Sequence, residues 1–175
     1  MKRYSLIYAS NASNIIGVNN TIPWRYKEDF EYFKQYTLNS CVVMGRKTYQ
    51  SIGKALPQRL NVVISSDPTF KAKDALQLND LASALGTPAE HCCVIGGSTV
   101  YQQSIDFLIK KGKEIDVSRT IIPDQCGVNS QDIVTYFEIP QETDTWIKKD
   151  LKILTIKTSK NVDLYVVISK IIPKV

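Results

Sequence analysis

The chain has 175 residues, a formal net charge of +5, 43% hydrophobic residues and 22% charged residues. These values are ordinary for a globular protein, and we expect one domain over residues 1–175 that buries about 70% of its unfolded surface. The sequence contains no apolar run near the roughly 18 residues of a membrane-spanning helix. It also lacks the basic stripe that nucleic-acid binding requires.

Cysteine and histidine usage excludes several kinds of site. The four cysteines form no CxxC pair, and His91 is the only histidine. This pattern argues against zinc and against a Ser-His-Asp mechanism, so we expect no metal site. Buried cysteines favour a reducing compartment. Since no targeting signal is recognisable, we expect a cytoplasmic protein.

Strands and helices are expected to alternate along the chain. In chain order, we expect a strand at 4–9, a loop at 11–24, a helix at 27–38, a strand at 41–44, a helix at 46–52, strands at 60–64 and 75–78, a helix at 80–85, a strand at 92–95, a helix at 98–108 and a strand at 114–122. Two later strand-like runs flank residues 158–161 and suit a hairpin. The pattern predicts an α/β fold with one central, mostly parallel twisted sheet, flanking helices and a C-terminal antiparallel hairpin.

Two strand-to-helix junctions carry glycines, at residues 44–48 and 95–99. Glycine permits a tight turn, and a helix N-terminus offers free N–H groups to a phosphate. Neither junction is a GxGxxG fingerprint, so each alone also suits an ordinary turn. Ser65–Ser66 ends a third strand, and such strand ends meet at one edge of a sheet. Arg46 and Ser66 together could hold the extra phosphate of NADP.

Asp29 is the acid that we expect to face inward, one helical turn before Phe33. The alternative is that it only stabilises the helix N-terminus. In an apolar pocket its pKa would rise, and its carboxylate could bind a 2-aminopyrimidine edge through two hydrogen bonds. Arg59 could clamp a ligand carboxylate, or it could be a surface arginine. The expected apolar walls, each of which also suits plain core, are Ile7, Phe33, Ile52 and Leu56.

These motifs, in this order and spacing, resemble the dihydrofolate reductase family over about residues 6–118. The residues that carry the resemblance are Ile16-Gly17-x4-Ile22-Pro23-Trp24, Asp29, Phe33, Val43-Met44-Gly45-Arg46-Lys47-Thr48, Ser51-Ile52-Gly53, Leu56-Pro57-x-Arg59, and Ile95-Gly96-Gly97 with Tyr101. Smaller pieces are similar to bacteriophage members of the family.

The resemblance implies a role for each matching position. Implied catalytic residues are Asp29, Trp24 and Ser118, with Asp29 gripping the pterin and Ser118 replacing a threonine that ties this acid to an ordered water. Implied substrate-binding residues are Ile7, Asp29, Phe30, Phe33, Ile52, Leu56, Arg59, Ile95 and Tyr101. Implied cofactor-binding residues are Ala9, Ile16, Gly17, Gly45, Arg46, Lys47, Thr48, Ser65, Ser66, Gly96, Gly97, Ser98, Thr99 and Val100. The loop at 11–24 would be a mobile lid over the nicotinamide.

Two departures from the family pattern concern a turn and the lid. Gln58 replaces a glycine before Arg59, so that turn could differ. The family's Gly-Asp-Thr, which helps to hold the lid, is missing, and residues 126–130 are expected in its place.

The resemblance implies a monomer that reduces 7,8-dihydrofolate to tetrahydrofolate with NADPH, for one-carbon metabolism and thymidylate synthesis. Two alternatives stay open. One is the pyrimidine reductase of riboflavin synthesis, which Pro23-Trp24-x4-Asp29 disfavours. The other is a folate-binding or structural protein without activity.

Overall fold

A computed structural model describes residues 1–174, which form ten strands and four helices. The strands are β1 (Arg3–Asn11), β2 (Ile15–Val18), β3 (Cys41–Gly45), β4 (Leu60–Ile64), β5 (Leu76–Leu78), β6 (His91–Gly96), β7 (Ile115–Ile122), β8 (Val134–Tyr136), β9 (Trp146–Lys157) and β10 (Asp163–Pro173). The helices are α1 (Lys27–Thr37), α2 (Arg46–Ile52), α3 (Leu81–Leu85) and α4 (Ser98–Lys110). Of these four helices within residues 1–174, none is long and apolar enough to cross a membrane.

Eight strands form one sheet in the order β5-β4-β3-β6-β1-β7-β10-β9. The first six are parallel to one another. Strand β10 runs antiparallel to both β7 and β9. The predicted mostly parallel sheet with a C-terminal antiparallel hairpin is therefore confirmed. Strands β2 and β8 form a separate two-stranded sheet, and β2 lies inside the segment that was expected to be a loop.

Both faces of the parallel strands are buried, because successive side chains in a strand point to opposite faces. Leu6 and Val43 pack on one face with residues of α3 and α4. Their neighbours Ile7 and Val42 pack on the other face with residues of α1 and α2. Burying each such side chain contributes about 1.5–3 kcal/mol. The sheet is thus the middle layer of the fold. The edge formed by the carboxyl ends of its parallel strands can hold a site.

The helix ends differ in how their free backbone groups are satisfied. Gly53 ends α2 in the left-handed conformation, with φ 81°, and its N–H donates to the Tyr49 carbonyl. At the start of α3 the Asp80 side chain accepts from the Ser83 amide at 2.7 Å. At the start of α4 the cap residue is Gly97, and no side chain caps this helix. The first N–H groups of α4 therefore stay available to a ligand.

Candidate active site

The two glycine junctions lie side by side at the carboxyl edge of the sheet. Met44 pairs with Gly96 in the β3–β6 register. A Cβ placed on Gly45 would lie 4.0 Å from the Gly97 amide nitrogen and 3.2 Å from Val100 Cγ2. The structure therefore brings together the two junctions that were predicted separately, and a Cβ at Gly45 would press against the Val100 side chain.

The second junction is built for close approach of a ligand to the backbone. Gly96 has φ 126°, a conformation that side-chain-bearing residues rarely adopt. A Cβ on Gly96 would lie 3.4 Å from the Tyr101 hydroxyl and 3.4 Å from Thr48 Oγ1. The Gly96–Gly97 peptide bond is cis. Glycines here keep the space beside the first turn of α4 clear.

An open cavity of about 420 Å³ adjoins the N-terminus of α4. Its lining residues are Ser98, Thr99, Gln102, Gln103, Tyr136, Phe137 and Glu138. Free N–H groups at a helix N-terminus, together with hydroxyls and side-chain amides, form a donor set that suits phosphate oxygens. The residues present thus fit the pyrophosphate of a dinucleotide.

On the far side of the first junction, Arg46 opens α2 and Ser65–Ser66 follows β4. The Arg46 guanidinium does not stand alone, since its Nη1 donates to the Asp67 carboxylate. Its carbon Cζ also lies 5.9 Å from the centroid of the Phe70 ring. Asp67 was not among the predicted site residues. Arg46 and Ser65–Ser66 lie at the same edge of the sheet, as expected. The acid Asp67 lies beside Arg46 there.

Asp29 lies in the first turn of α1 and is half-buried. Burial raises the pKa of this carboxyl group above its ordinary value, although a hydrogen bond from Thr120 acts in the opposite direction. A carboxyl group in such surroundings keeps its proton to higher pH than a surface aspartate. It can therefore exchange a proton with a ligand nearer neutral pH.

Two hydroxyls of β7 face α1. Ser118, which was expected to tie Asp29 to an ordered water, has its Oγ 2.8 Å from the Tyr32 hydroxyl. Thr120, two residues further along β7, lies near Asp29. Residues i and i+2 of a strand share one face, and residues i and i+3 of a helix do so too. Asp29 and Tyr32 therefore lie over Thr120 and Ser118 respectively.

The predicted apolar walls lie together on the α1–α2 side of the sheet. One cluster contains Ile7, Ile95, Phe33, Ile52 and Leu56, and also Tyr32 and Tyr36. Phe30 differs from this expectation, since it is 46% exposed and lies outside the cluster. The reason is the helical period: the inward stripe follows Asp29 at i+3, i+4 and i+7, whereas position i+1 turns away.

The first strand presents backbone groups beside these walls. The Ile7 carbonyl accepts a hydrogen bond from the Tyr101 hydroxyl at 2.8 Å. Ile7 pairs with Ser118, and Ala9 with Thr120, in the β1–β7 register. Ala9 and Ile16 are both half-buried. Predicted substrate and cofactor residues of β1 thus lie beside the strand that contacts Asp29.

Trp24 is 3% exposed and packs against Tyr26, Ile122 and Leu164. Among residues 1–174, no protein atom accepts a hydrogen bond from its indole Nε1, which is itself buried. Buried donors in native proteins are almost always paired with protein, water or ligand. The Trp24 donor therefore suits an ordered water or a ligand oxygen.

Arg59 is held in place by two hydrogen bonds. Its Nε donates to the Pro57 carbonyl at 2.8 Å and its Nη1 donates to Thr37 Oγ1 at 3.0 Å. Gln58, which replaces the family's glycine, adopts φ 57°. The turn thus keeps a left-handed residue although glycine is absent, at a modest conformational cost. The protein itself therefore orients the guanidinium.

Of residues 126–130, Cys126 contacts the predicted lid, since its Sγ accepts from Asn11 Nδ2 at 3.8 Å. Further along the lid, β2 pairs with β8, with Gly17 opposite Thr135. Asn19 Nδ2 donates to Asp132 Oδ1 at 2.7 Å, and Asn19 Oδ1 accepts from the Ile133 amide at 2.9 Å. The Asn19 amide donates to the Ile133 carbonyl at 2.8 Å. These contacts, which the sequence analysis missed, tie the lid segment to the part of the chain just before β8.

Comparison with known proteins decides the family. A family model described as dihydrofolate reductase matches residues 3–122. The chain belongs to the dihydrofolate reductase family. The resemblance that the motifs predicted is thereby confirmed.

Similar relatives include a dihydrofolate reductase type 3 of Salmonella typhimurium, 43% identical over 103 residues, or 58% of this chain and 64% of the relative. The dihydrofolate reductase of Bacillus subtilis is 38% identical over 99 residues, or 55% of this chain and 59% of the relative. The matched stretch thus spans less than two thirds of the length of these relatives.

A solved structure extends the likeness to nearly the whole chain, at the level of fold. It is a dihydrofolate reductase from Enterococcus faecalis complexed with NADP(H) and RAB-propyl. It superposes with a TM-score of 0.76 and 23% sequence identity, covering 99% of this chain and 97% of that one. At this identity the likeness concerns the fold, which includes the C-terminal strands beyond the family match.

Proposed function

We propose that this protein reduces 7,8-dihydrofolate to 5,6,7,8-tetrahydrofolate with NADPH. The observation that carries the proposal is Asp29, a half-buried carboxyl group with a raised pKa on the helix that supplies Tyr32 and Phe33 to the apolar cluster. Family membership supports the same reaction. The product would feed one-carbon metabolism and thymidylate synthesis.

Asp29 would bind the 2-amino and ring N–H groups of the pterin edge through its two carboxylate oxygens. The Thr120 hydroxyl, which lies near Asp29, would donate to the carboxylate and keep it oriented. Because burial favours the protonated acid, Asp29 would promote protonation at pterin N5. Trp24 Nε1, which lacks a protein acceptor in residues 1–174, would orient the water or oxygen along this route.

The rest of the substrate would lie against the apolar cluster. Phe33, Ile52 and Leu56 would contact the pterin and benzoyl rings, with Phe30 reaching the bound ligand from its exposed position. Arg59 would hold the glutamate α-carboxylate, and its bonds to Pro57 and Thr37 lower the entropy lost on binding. The Ile7 and Ile95 carbonyls would face the 4-position side of the pterin.

NADPH, when bound, would supply the hydride that reduces pterin C6. Free N–H groups at the start of α4, with Ser98 and Thr99, would hold its pyrophosphate. Lys47, Thr48, Ser65 and Ser66 would contact the adenosine side together with Arg46. The lid, which contains β2, would exclude water from the reacting atoms.

Further proposals concern the protein as a whole. One sheet joins β1 to β10, which supports a single domain over the chain. We also propose that the protein acts as a cytoplasmic monomer whose partners are its small-molecule substrate and cofactor, without nucleic acid or membrane.

The test is an assay of purified protein with NADPH and dihydrofolate, following loss of reduced-nicotinamide absorbance. The pyrimidine substrate of riboflavin synthesis serves as the comparison. Turnover of dihydrofolate alone supports the proposal. Turnover of the pyrimidine alone would contradict it, and tight folate binding without turnover of either would point to a non-catalytic protein.

A further inference from the structure

The pairing of Arg46 with Asp67 changes what a cofactor phosphate meets at the adenosine end of the site. Asp67 Oδ2 accepts from Arg46 Nη1. About a third of each side chain is exposed, 38% for Arg46 and 34% for Asp67. The guanidinium that was predicted to hold an extra phosphate is therefore already neutralised by a carboxylate.

Asp67 is fixed in this position by its own turn. Its other oxygen, Oδ1, accepts from the Thr69 amide at 2.9 Å and from Thr69 Oγ1 at 2.6 Å. The Asp67 amide in turn donates to Ser65 Oγ at 3.2 Å. An aspartate that closes a turn in this way loses several bonds if it swings away. It would therefore stay beside Arg46 when a ligand binds.

The carboxylate is an anion at neutral pH. The hydrogen bonds from Thr69 lower the pKa of Asp67, and the Arg46 charge acts in the same direction. A phosphate bound at Arg46 would thus lie near a fixed negative charge, and the repulsion offsets part of the attraction to arginine. A ribose hydroxyl carries no charge and can donate a hydrogen bond to a carboxylate.

We propose that Asp67 is a specificity-determining residue that reduces the preference of this site for a 2′-phosphorylated dinucleotide over one with a free 2′-hydroxyl. Specificity is the difference between the affinities for the two dinucleotides. Asp67 weakens binding of the 2′-phosphate and strengthens binding of the 2′-hydroxyl. The inference rests on the proposed cofactor site. NADPH would still be favoured through Arg46, Lys47 and Ser66, by a smaller margin than those residues would give alone.

The test uses two probes that report the 2′ position without turnover. Adenosine 2′,5′-bisphosphate and adenosine 5′-monophosphate are titrated calorimetrically into the wild-type protein and Asp67→Asn. Asparagine removes the charge and can still accept from the Thr69 amide. A matched control is Asp163→Asn, since Asp163 pairs with Lys157 at 2.6 Å on the C-terminal hairpin. It changes the net charge equally, away from the site.

We expect Asp67→Asn to raise the affinity ratio of bisphosphate to monophosphate about tenfold. The control should change this ratio by less than about twofold, because it lies on a distant ion pair. Asp67→Ser, which also keeps a turn acceptor, should behave like Asp67→Asn and serves if the asparagine variant folds poorly. In an Arg46→Ala background most of the gain should vanish, because the phosphate contact is then lost.

A ratio that stays constant or falls in both Asp67 variants would overturn the proposal, since Asp67 would then merely position Arg46. If the wild-type protein binds neither probe, this inference and the cofactor site fall together. If both probes bind with the expected ratios but dihydrofolate is not reduced, the inference stands and the proposed reaction fails.

Discussion

The Thr120 hydroxyl of β7 lies near the Asp29 carboxyl group in the first turn of α1. A hydrogen bond from this hydroxyl to the carboxylate favours the charged form of Asp29 and opposes the effect of burial. Strand β7 and helix α1 together thus set the pKa of Asp29. We propose that this group takes part in the proton transfer.

Thr120→Val should raise the pKa of Asp29 further, since it removes the one hydrogen bond that lowers this pKa. The pH profile of dihydrofolate reduction should then shift to higher pH. Ser118→Ala is the matched control, because Ser118 contacts Tyr32 instead. A shift in the control but not in Thr120→Val would show that the predicted Ser118 was the correct partner after all.

Asp29→Asn should stabilise the fold at neutral pH by about 1 kcal/mol and should lower the activity. The sign follows from linkage. Burial raises the folded-state pKa of Asp29, so its contribution to stability is lost as pH rises from 3.8 through the folded pKa. Urea unfolding at pH 4 and pH 7 measures this, and the gain should be larger at pH 7. Equal or lower stability of the variant at pH 7 would contradict the argument.

His91 should make the protein sensitive to acid. His91 is the first residue of β6. Its Nε2 lies 2.6 Å from Ser5 Oγ. Burial, followed by the nearby Arg3 charge, lowers the pKa of His91 from 6.5 to about 4. Stability from the neutral ring is complete above pH 6.5 and is lost as pH falls towards 4. The loss should reach roughly 1–3 kcal/mol, allowing for partial exposure.

Thermal unfolding between pH 7.5 and 4.5 of the wild-type protein and His91→Gln checks this account. Glutamine retains a hydrogen-bonding group and does not titrate, so the variant should lose less stability at acid pH. An identical acid response in both proteins would assign the pH dependence to other groups.

Asn19 should hold the lid through its bonds to Asp132 and the Ile133 amide. Asn19→Asp keeps the acceptor for Ile133 but faces the Asp132 carboxylate, so it should open the β2–β8 pairing by about 1–2 kcal/mol. Hydrogen exchange of the Gly17 amide, and of the residue 19 amide that donates to the Ile133 carbonyl, measures the opening. The control is Gln35→Glu, which faces the exposed Glu31 carboxylate on α1, outside the β2–β8 ladder. Unchanged exchange in Asn19→Asp would show that the backbone ladder alone holds the lid.

Much of the fold could be predicted from sequence periodicity. Strands β3 and β4 are short apolar runs between glycine or polar punctuation, and helix α2 was bounded correctly because Gly45 and Gly53 flank it. These are local signals, and each element satisfies its own pattern. The glycine junctions were found in the same way, since parallel strand ends must meet at one edge.

What the sequence could not settle were contacts between distant segments. Thr120 and Ser118 share one face of β7, so only the position of α1 above that strand decides which of them contacts Asp29. Asn19 meets Asp132 across a sequence separation of 113 residues, and nothing local indicates that pairing. The partner of Arg46 was missed for the same reason.

The single-turnover rate of NADPH oxidation by dihydrofolate, measured against pH in wild type and Asp29→Asn, tests the central claim most directly. We predict that the wild-type rate falls as pH rises through a pKa above the ordinary 3.8 of aspartate. Asp29→Asn should lack this titration and be slower by about 10²–10⁴-fold at neutral pH. A variant that keeps a near wild-type rate, or the same pH profile, would contradict the account.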